Sequence, residues 1–516
     1  MKNYLKQTLF CTVFISGFLL WGNAMAANIH ICDTAVCGQT PGDGSTWSNA
    51  LDDLPTNLVR GNTYYIADGN YGRHTFNDSC IGDCDITDLI TVKKATIEAH
   101  GTDTGWDNAY GTGQAVFQPA DVIPAADEKT TILFNSSYYT FDGVVNGGSD
   151  PDAYGFKVLL HPSYASEEGI YEGYVWGLFV AVSVGHIDAT TDIANHKIFN
   201  VAAPGHGQSA CVEYDADHVC RSDGFLAYFN PAKNGSFNDL EFAYNYASGH
   251  KENFNIGGGS NASIHHNYAH QNTTSGLIPG SPNQAHGQNM NLDTVTNVDV
   301  YNNMITESRD FLICFHRTFG GNVTNARIYN NIFYKLASDT TFLSGGITAS
   351  SASLIDAMIN TRVYNNTFVD ITSMSKGLVW IAESDSPEEN KAYVYNNLIY
   401  NSGHATVDNG IYSGIIEQAN NAWLNSTGYL AGTGNINDLD ASSDVFVNYA
   451  GGNLNINASS ATAIADVIDK GQTTSFLFDY LDNTRPSGSA FDIGAYEYVG
   501  AADTTAPATP TGLSVT

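Results

Sequence analysis

Val300-Tyr301-Asn302-Asn303, Ile328-Tyr329-Asn330-Asn331, Val363-Tyr364-Asn365-Asn366 and Val394-Tyr395-Asn396-Asn397 are four copies of one phrase. The pairs that follow, Met304-Ile305, Ile332-Phe333, Thr367-Phe368 and Leu398-Ile399, continue it, and Phe242-Ala243-Tyr244-Asn245 and Ile264-His265-His266-Asn267 precede it as degenerate copies. With Asn245, Asn267, Asn303, Asn331, Asn366 and Asn397 equivalent, the steps are 22, 36, 28, 35 and 31 residues. Helical repeats of fixed length are excluded, so the variation sits in loops. Around each Asn the alternation of β-branched and aromatic residues reads as strand, tight turn, strand, with Asn where a left-handed backbone is tolerated. When such turns stack, each amide can serve the Asn of the next coil, and a buried polar group is satisfied by its own repeat.

This pattern resembles the right-handed parallel β-helix proteins over roughly residues 60 to 498. The resemblance implies an all-β solenoid with an asparagine ladder and an N-terminal cap. Phe254, Ile256, Met290, Leu292, Ile328, Val363 and Val394 are expected to line its core, and Trp47-Ser48-Asn49-Ala50-Leu51 to supply a short capping helix. Gly61 to Gly72 would begin the first coil, and Phe491 to Tyr498 resembles a closing strand. Residues 150–199 read as coils carrying a long inserted loop.

Residues 1–26 have the marks of a secretory signal: Lys2 and Lys6, the apolar run Thr8 to Leu20, and Ala24-Met25-Ala26 as a small-x-small cleavage site. The solenoid then spans 27–498. Residues 499–516 form a Pro/Ala/Thr linker, and Thr511 to Thr516 resembles the start of a fibronectin type III domain. No segment offers a transmembrane span, so a secreted, monomeric protein is expected. Its acidic balance, formal charge −32, argues against nucleic acid as partner. Past the signal, Cys32/Cys37, Cys80/Cys84 and Cys211/Cys220 suggest local disulfides, although the first two pairs could cross-pair. Cys314, in an apolar run, reads as a buried core thiol.

Polar groups concentrate between Arg221 and Arg317. Period-two alternation points Phe254, Ile256, Met290 and Leu292 inward and Asn253, Asn255, Asn289 and Asn291 outward. Lys251, Arg309, Asp310 and His316 would then share one groove with these Asn, unless the Asn merely solvate a sheet. Trp380, outward in its own strand, is a candidate platform for a sugar ring.

Ser222-Asp223-Gly224-Phe225, Asn253-Phe254-Asn255-Ile256-Gly257-Gly258 and His286-Gly287-Gln288-Asn289-Met290 follow the order of motifs in the pectate lyases of polysaccharide-lyase family 9, which the stretch resembles. The resemblance implies β-elimination on an acidic, uronic-acid-containing polysaccharide, with calcium bridging the substrate to acidic groups. The family has a lysine base where this chain has Asn255, and of its calcium-site aspartates only Asp223 matches. Lys251 is the nearest alternative base, with His250 or His286 behind it, and Arg309 or Arg317 could meet the uronate carboxylate bidentately. A solvated Lys251 paired with Glu252 is the plainer alternative. Asp223, Glu252 and Asp310 are the candidate calcium ligands. The same three acids could instead pair for glycoside hydrolysis. A third reading is a non-catalytic glycan-binding or adhesin-like protein.

Overall fold

A computed structural model of the chain describes residues 26–80, 84–120, 129–161, 179–185, 189–205, 222–271, 288–308, 311–316, 321–334, 345–349, 358–371, 378–380, 392–403, 407–408, 416–429 and 431–499. Residues 1–25 of the proposed signal, residues 500–516 of the proposed linker, residues 162–178 of the stretch expected to carry the inserted loop, and the pair Cys211/Cys220 lie outside them.

The chain winds as a right-handed parallel β-helix. Among the described residues one sheet has 22 strands and a second has 12, both parallel throughout. Two faces of each coil belong to the larger sheet. In Glu252–His265 and Gln288–Tyr301 they form one continuous, bent strand of 14 residues. A short strand such as Tyr268–His270 or Met304–Thr306 closes the coil in the smaller sheet. All seven expected core residues lie in the main hydrophobic cluster that fills the interior.

The corners follow a five-residue rhythm in backbone conformation. Asn297, Asn302 and Glu307 have φ of 55°, 52° and 49°, and Asn360, Asn365 and Asp370 of 56°, 55° and 58°. Asn and Asp adopt this left-handed region at low cost, which is why the repeat spends its asparagines at corners.

The two Asn of each phrase divide the work. The second is the ladder residue: Asn303, Asn331 and Asn366 donate their amides to the side-chain oxygens of Asn331, Asn366 and Asn397 at 2.9, 3.0 and 3.0 Å. The ladder extends from Asn245 at one end to Asn421 and Asn435 at the other. The first Asn takes the positive φ and points outward. A second, more exposed ladder, Asn261–Asn297–Asn325–Asn360, runs along the preceding corner with spacings of 3.0, 2.9 and 2.8 Å.

At the N-terminus the sheet starts earlier than expected, with Asn28–Ile31 paired in parallel to Thr63–Ile66. Trp47 opens a single 3-10 turn and packs, fully buried, against Trp106 and His30 to cap the first coil. Cys32–Cys37 and Cys80–Cys84 are local disulfides. No described helix is long and apolar enough to cross a membrane.

The expected closing strand at Phe491 to Tyr498 is not a strand; Phe491 forms only an isolated bridge to Gly471. The C-terminal segment is instead a strap laid along the outside of the coils. The outward Asn420, Asn396, Asn330 and Asn302 donate to the carbonyls of Lys470, Gln472, Phe478 and Asp479 at 2.8, 2.7, 2.7 and 3.4 Å. Phe476 lies on the stacked rings of Tyr329 and Tyr364, its centroid 3.5 Å from that of Tyr329. Behind the strap Arg485 is buried against Glu497 at 2.9 Å, and the Glu497 carboxylate also accepts from the backbone of Asp492 and Ser487.

Candidate functional site

The polar cluster falls on the first face of the coils, built from Ser222–Tyr228, the beginnings of Glu252–His265 and Gln288–Tyr301, and Phe311–His316. Phe225, Phe254, Met290 and Ile313 turn into the core, as do Ala227, Ile256, Leu292 and Phe315. Just before the first of these the alternation breaks. Pairing skips Gly224, Asn253, Asn289 and Leu312 in every coil, and those positions also face inward. A Cβ added at Gly224 would meet the core methyl of Ala247 at 3.2 Å, and Leu312 belongs to the core cluster.

This stacked bulge corrects the expected direction of two residues. Asn253 and Asn289 point inward, donating to the carbonyls of His270 and Thr306 on the smaller sheet at 3.1 and 2.8 Å, and Asn253 donates to the Asn289 side chain at 2.5 Å. They tie the two sheets together and are not presented to a ligand. His250 is likewise removed from the face. It is fully buried, with one ring nitrogen on Ala203 O at 2.9 Å and the other on Ser222 Oγ at 3.0 Å.

The bulge places a different set outside. Asp223 is in register with Val180, which packs with Leu226 and Tyr228 in a cluster separate from the core. Glu252 follows Asp223 in register, and Gln288 follows Glu252. The next outward row runs Leu226, Asn255, Asn291 and Cys314, and the backbone positions of Thr348 and Trp380 continue its register. Cys314 is buried and not disulfide-bonded, but its register puts it in this outward row rather than in the core.

Hydrogen bonds organise the face. Asn255 donates to Asp223 Oδ2 at 3.2 Å, and Asn291 donates to Asn255 Oδ1 at 2.9 Å. Lys251 Nζ lies 2.8 Å from Glu252 Oε1 with both side chains nearly buried. Tyr228 reaches across Gly257 to donate to Asp293. Only glycine permits that crossing, since a Cβ at Gly257 would lie 2.6 Å from the Tyr228 ring. Asp293 is in register with His316, and a His316 ring nitrogen lies 3.3 Å from Gln288 Nε2. Three oxygens of the face, Glu252 Oε2, Gln288 Oε1 and Asn291 Oδ1, are buried with no hydrogen-bond partner.

Of the residues expected from sequence, Asp223, Lys251, Glu252, Asn255, Asn291 and His316 therefore share this face, whereas His286, Arg309, Asp310 and Arg317 lie outside the described residues. Tyr228, Gln288 and Asp293 were not anticipated. Asp293 was within reach, since it continues the outward series of Asn291. Among the described residues no three His, Cys, Asp or Glu side chains gather as a metal cluster. Asp310, expected beside Asp223 and Glu252 as a calcium ligand, lies outside the described residues.

No family model and no curated protein matches the sequence. Among solved structures the chain is similar to pectate lyase Pel9A, at 14% identity over 92% of this chain and 97% of that one, with a TM-score of 0.48. It is also similar to XylC, solved with xylose, at 12% identity over 91% and 98% of the two chains and a TM-score of 0.40. A third is the lacto-N-biosidase from Eubacterium ramulus, at 10% identity over 80% and 68% and a TM-score of 0.35. None of these likenesses bears on the chemistry of this face.

Proposed function

We propose that the protein is an exported enzyme that cleaves a polysaccharide laid across the outward face of Ser222–Tyr228, Glu252–His265 and Gln288–Tyr301. The observation that carries the reading is the pairing of Asp223 with Glu252 in register on adjacent coils, both outside the core. Neighbouring strands lie about 4.8 Å apart, so carboxyl groups leaving them side by side fall near the roughly 5 Å separation of retaining glycoside hydrolysis. One, as the carboxylate, would attack the anomeric carbon while the other, as the carboxylic acid, gives its proton to the departing oxygen; the carboxylate so formed then takes a proton from the water that displaces the first from the sugar. Asn255 orients Asp223 through its amide, and Lys251 holds one oxygen of Glu252, leaving the other for substrate.

β-Elimination on a uronic-acid polymer is the second reading, favoured by His316 on the same face as a candidate proton acceptor. Lys251 suits that role poorly, because its Nζ is already engaged with Glu252 Oε1 at 2.8 Å. In this second reading calcium would bridge the uronate to the acidic groups of the face.

The test is incubation with neutral and uronate polymers, with and without chelator, following reducing ends and the absorbance of unsaturated ends separately. Reducing ends without unsaturation, lowered about 10²-fold or more in Asp223→Asn and Glu252→Gln, are expected. Unsaturated ends would establish elimination. Full activity in both variants, or no cleavage of any polymer, would remove the carboxylate reading.

A further inference from the structure

The hydrogen bonds of the face have a direction. The Asn255 amide turns its nitrogen toward Asp223 Oδ2 at 3.2 Å. The oxygen of Asn255 then faces the next coil and fixes the nitrogen of Asn291 toward itself. Asn291 Oδ1 is left at the end of the chain, buried and unpartnered. Gln288 turns its nitrogen to His316 and leaves Oε1 likewise, and Lys251 takes one Glu252 oxygen and leaves Oε2. Glu252, Gln288 and Asn291 are each 2% exposed or less. Buried polar atoms almost always have partners, so three oxygens on one outward face without one among the described residues describe what is meant to meet them; Asn253 Oδ1, also unpartnered, belongs to the inward bulge. All three are acceptors.

Resting on the cleavage proposed above, we infer that this subsite takes an uncharged sugar residue, recognised through hydroxyl groups that donate to Glu252 Oε2, Gln288 Oε1 and Asn291 Oδ1. A uronate carboxylate has only lone pairs to offer and would set acceptor against acceptor beside Asp223 and Glu252. A neutral sugar carries several hydroxyl donors, which can each meet one of these oxygens. Sites built to bond a substrate hydroxyl discriminate strongly against an analogue lacking the donor.

The experiment is affinity electrophoresis of the whole protein in gels containing xylan, mannan, galactan, polygalacturonate or alginate, each with chelator or with added calcium. Retardation by at least one neutral polymer, and none by the uronates in chelator, is expected. Gln288→Lys, which replaces an acceptor with a charged donor, should weaken neutral-polymer binding about tenfold and create retardation by uronates. Asn291→Ala should give the same loss without the gain. Circular dichroism checks that each variant is folded; if neither is, the wild-type panel decides alone. Stronger retardation by uronates in chelator overturns the inference while leaving polysaccharide cleavage intact. Binding of uronates only with calcium overturns it in favour of a cation as occupant of the three oxygens. If no polymer is bound or cleaved, the inference and the enzymatic reading fall together.

Discussion

Asn365 and Asn366 are adjacent in sequence and leave the same turn on opposite sides. Asn366 donates inward to Asn397 Oδ1 at 3.0 Å, while Asn365 donates outward to the carbonyl of Asp492 at 3.2 Å. One dipeptide thus binds the coils to each other and to the strap that crosses them.

Replacing a ladder residue leaves its neighbours unpaired in a dry interior. Asn331 accepts from the backbone and side-chain amides of Asn303 at 3.0 and 2.9 Å and donates to Val300 O at 2.8 Å. Asn331→Ala should cost roughly 1 to 3 kcal/mol in urea unfolding. A loss within about 0.5 kcal/mol would mean that water or a neighbour replaces the amide.

Loosening the strap should be separable from damaging the solenoid. Phe476 rests on Tyr329 and Tyr364 with the guanidinium of Arg327 over its ring at 5.1 Å. Phe476→Ala should expose the C-terminal segment to limited proteolysis first, with the parallel sheets cut later. Simultaneous digestion of both would show that strap and coils unfold as one unit.

The strap should also carry its own pH signature. Burial, together with the nearby Glu497, raises the Asp492 carboxyl from 3.8 to about 7. The folded state therefore holds a proton that the unfolded state releases, and this contribution to stability declines as pH rises from about 4 to about 7. The wild type should lose stability relative to Asp492→Asn across that window. A constant difference between the two would place the ionised carboxylate in the fold at all these pH values.

Acid should act oppositely through the histidines. Burial lowers His74, His196, His266 and His270 from 6.5 to about 4, with His265 adding to the effect on His266. These rings stay neutral in the fold while the unfolded chain takes up protons, so stability should fall as pH drops from about 6.5 to about 4. Asp492 opposes this trend, as do the raised carboxyls of Asp53, Asp370, Asp466 and Glu497. The histidine share is therefore read as the urea-midpoint difference between wild type and His196→Gln, which should grow against the wild type on acidification; a difference that stays constant would contradict the buried neutral state of that ring.

The coils were legible because their signals are local and repeated. Val-Tyr-Asn-Asn marks strand, outward ring, left-handed corner and ladder, and the structure follows it from Asn303 to Asn397. The ladder's continuation through Asn421 was present as Asn420-Asn421 but lacked the preceding Tyr. The site was half legible. Simple alternation assigns Asn255 and Asn291 outward correctly, but it fails at Asn253 and Asn289 because one extra inward residue shifts the phase, and no local feature of the sequence marks that bulge. The strap was not legible at all. Its contacts with Asn302, Asn330 and Asn396 use its own backbone carbonyls, which every sequence possesses, so Gln472 to Asp482 carries no pattern to read.

Those carbonyls make the strap a ruler. Lys470, Gln472, Phe478 and Asp479 meet the outward Asn of four turns, Asp492 meets that of the turn at Asn365 between them, and His266 lies 3.6 Å from Asp482 near the far end. One more coil inserted between Asn331 and Asn366 would displace every earlier turn by about 4.8 Å along the axis, and each outward Asn on one side of the insertion would lose its mark. The C-terminal half has thereby given up the freedom to grow by duplicating its own repeat. Lengthening stays open toward the N-terminus, before the turn at Asn267, where among the described residues the strap meets no outward Asn.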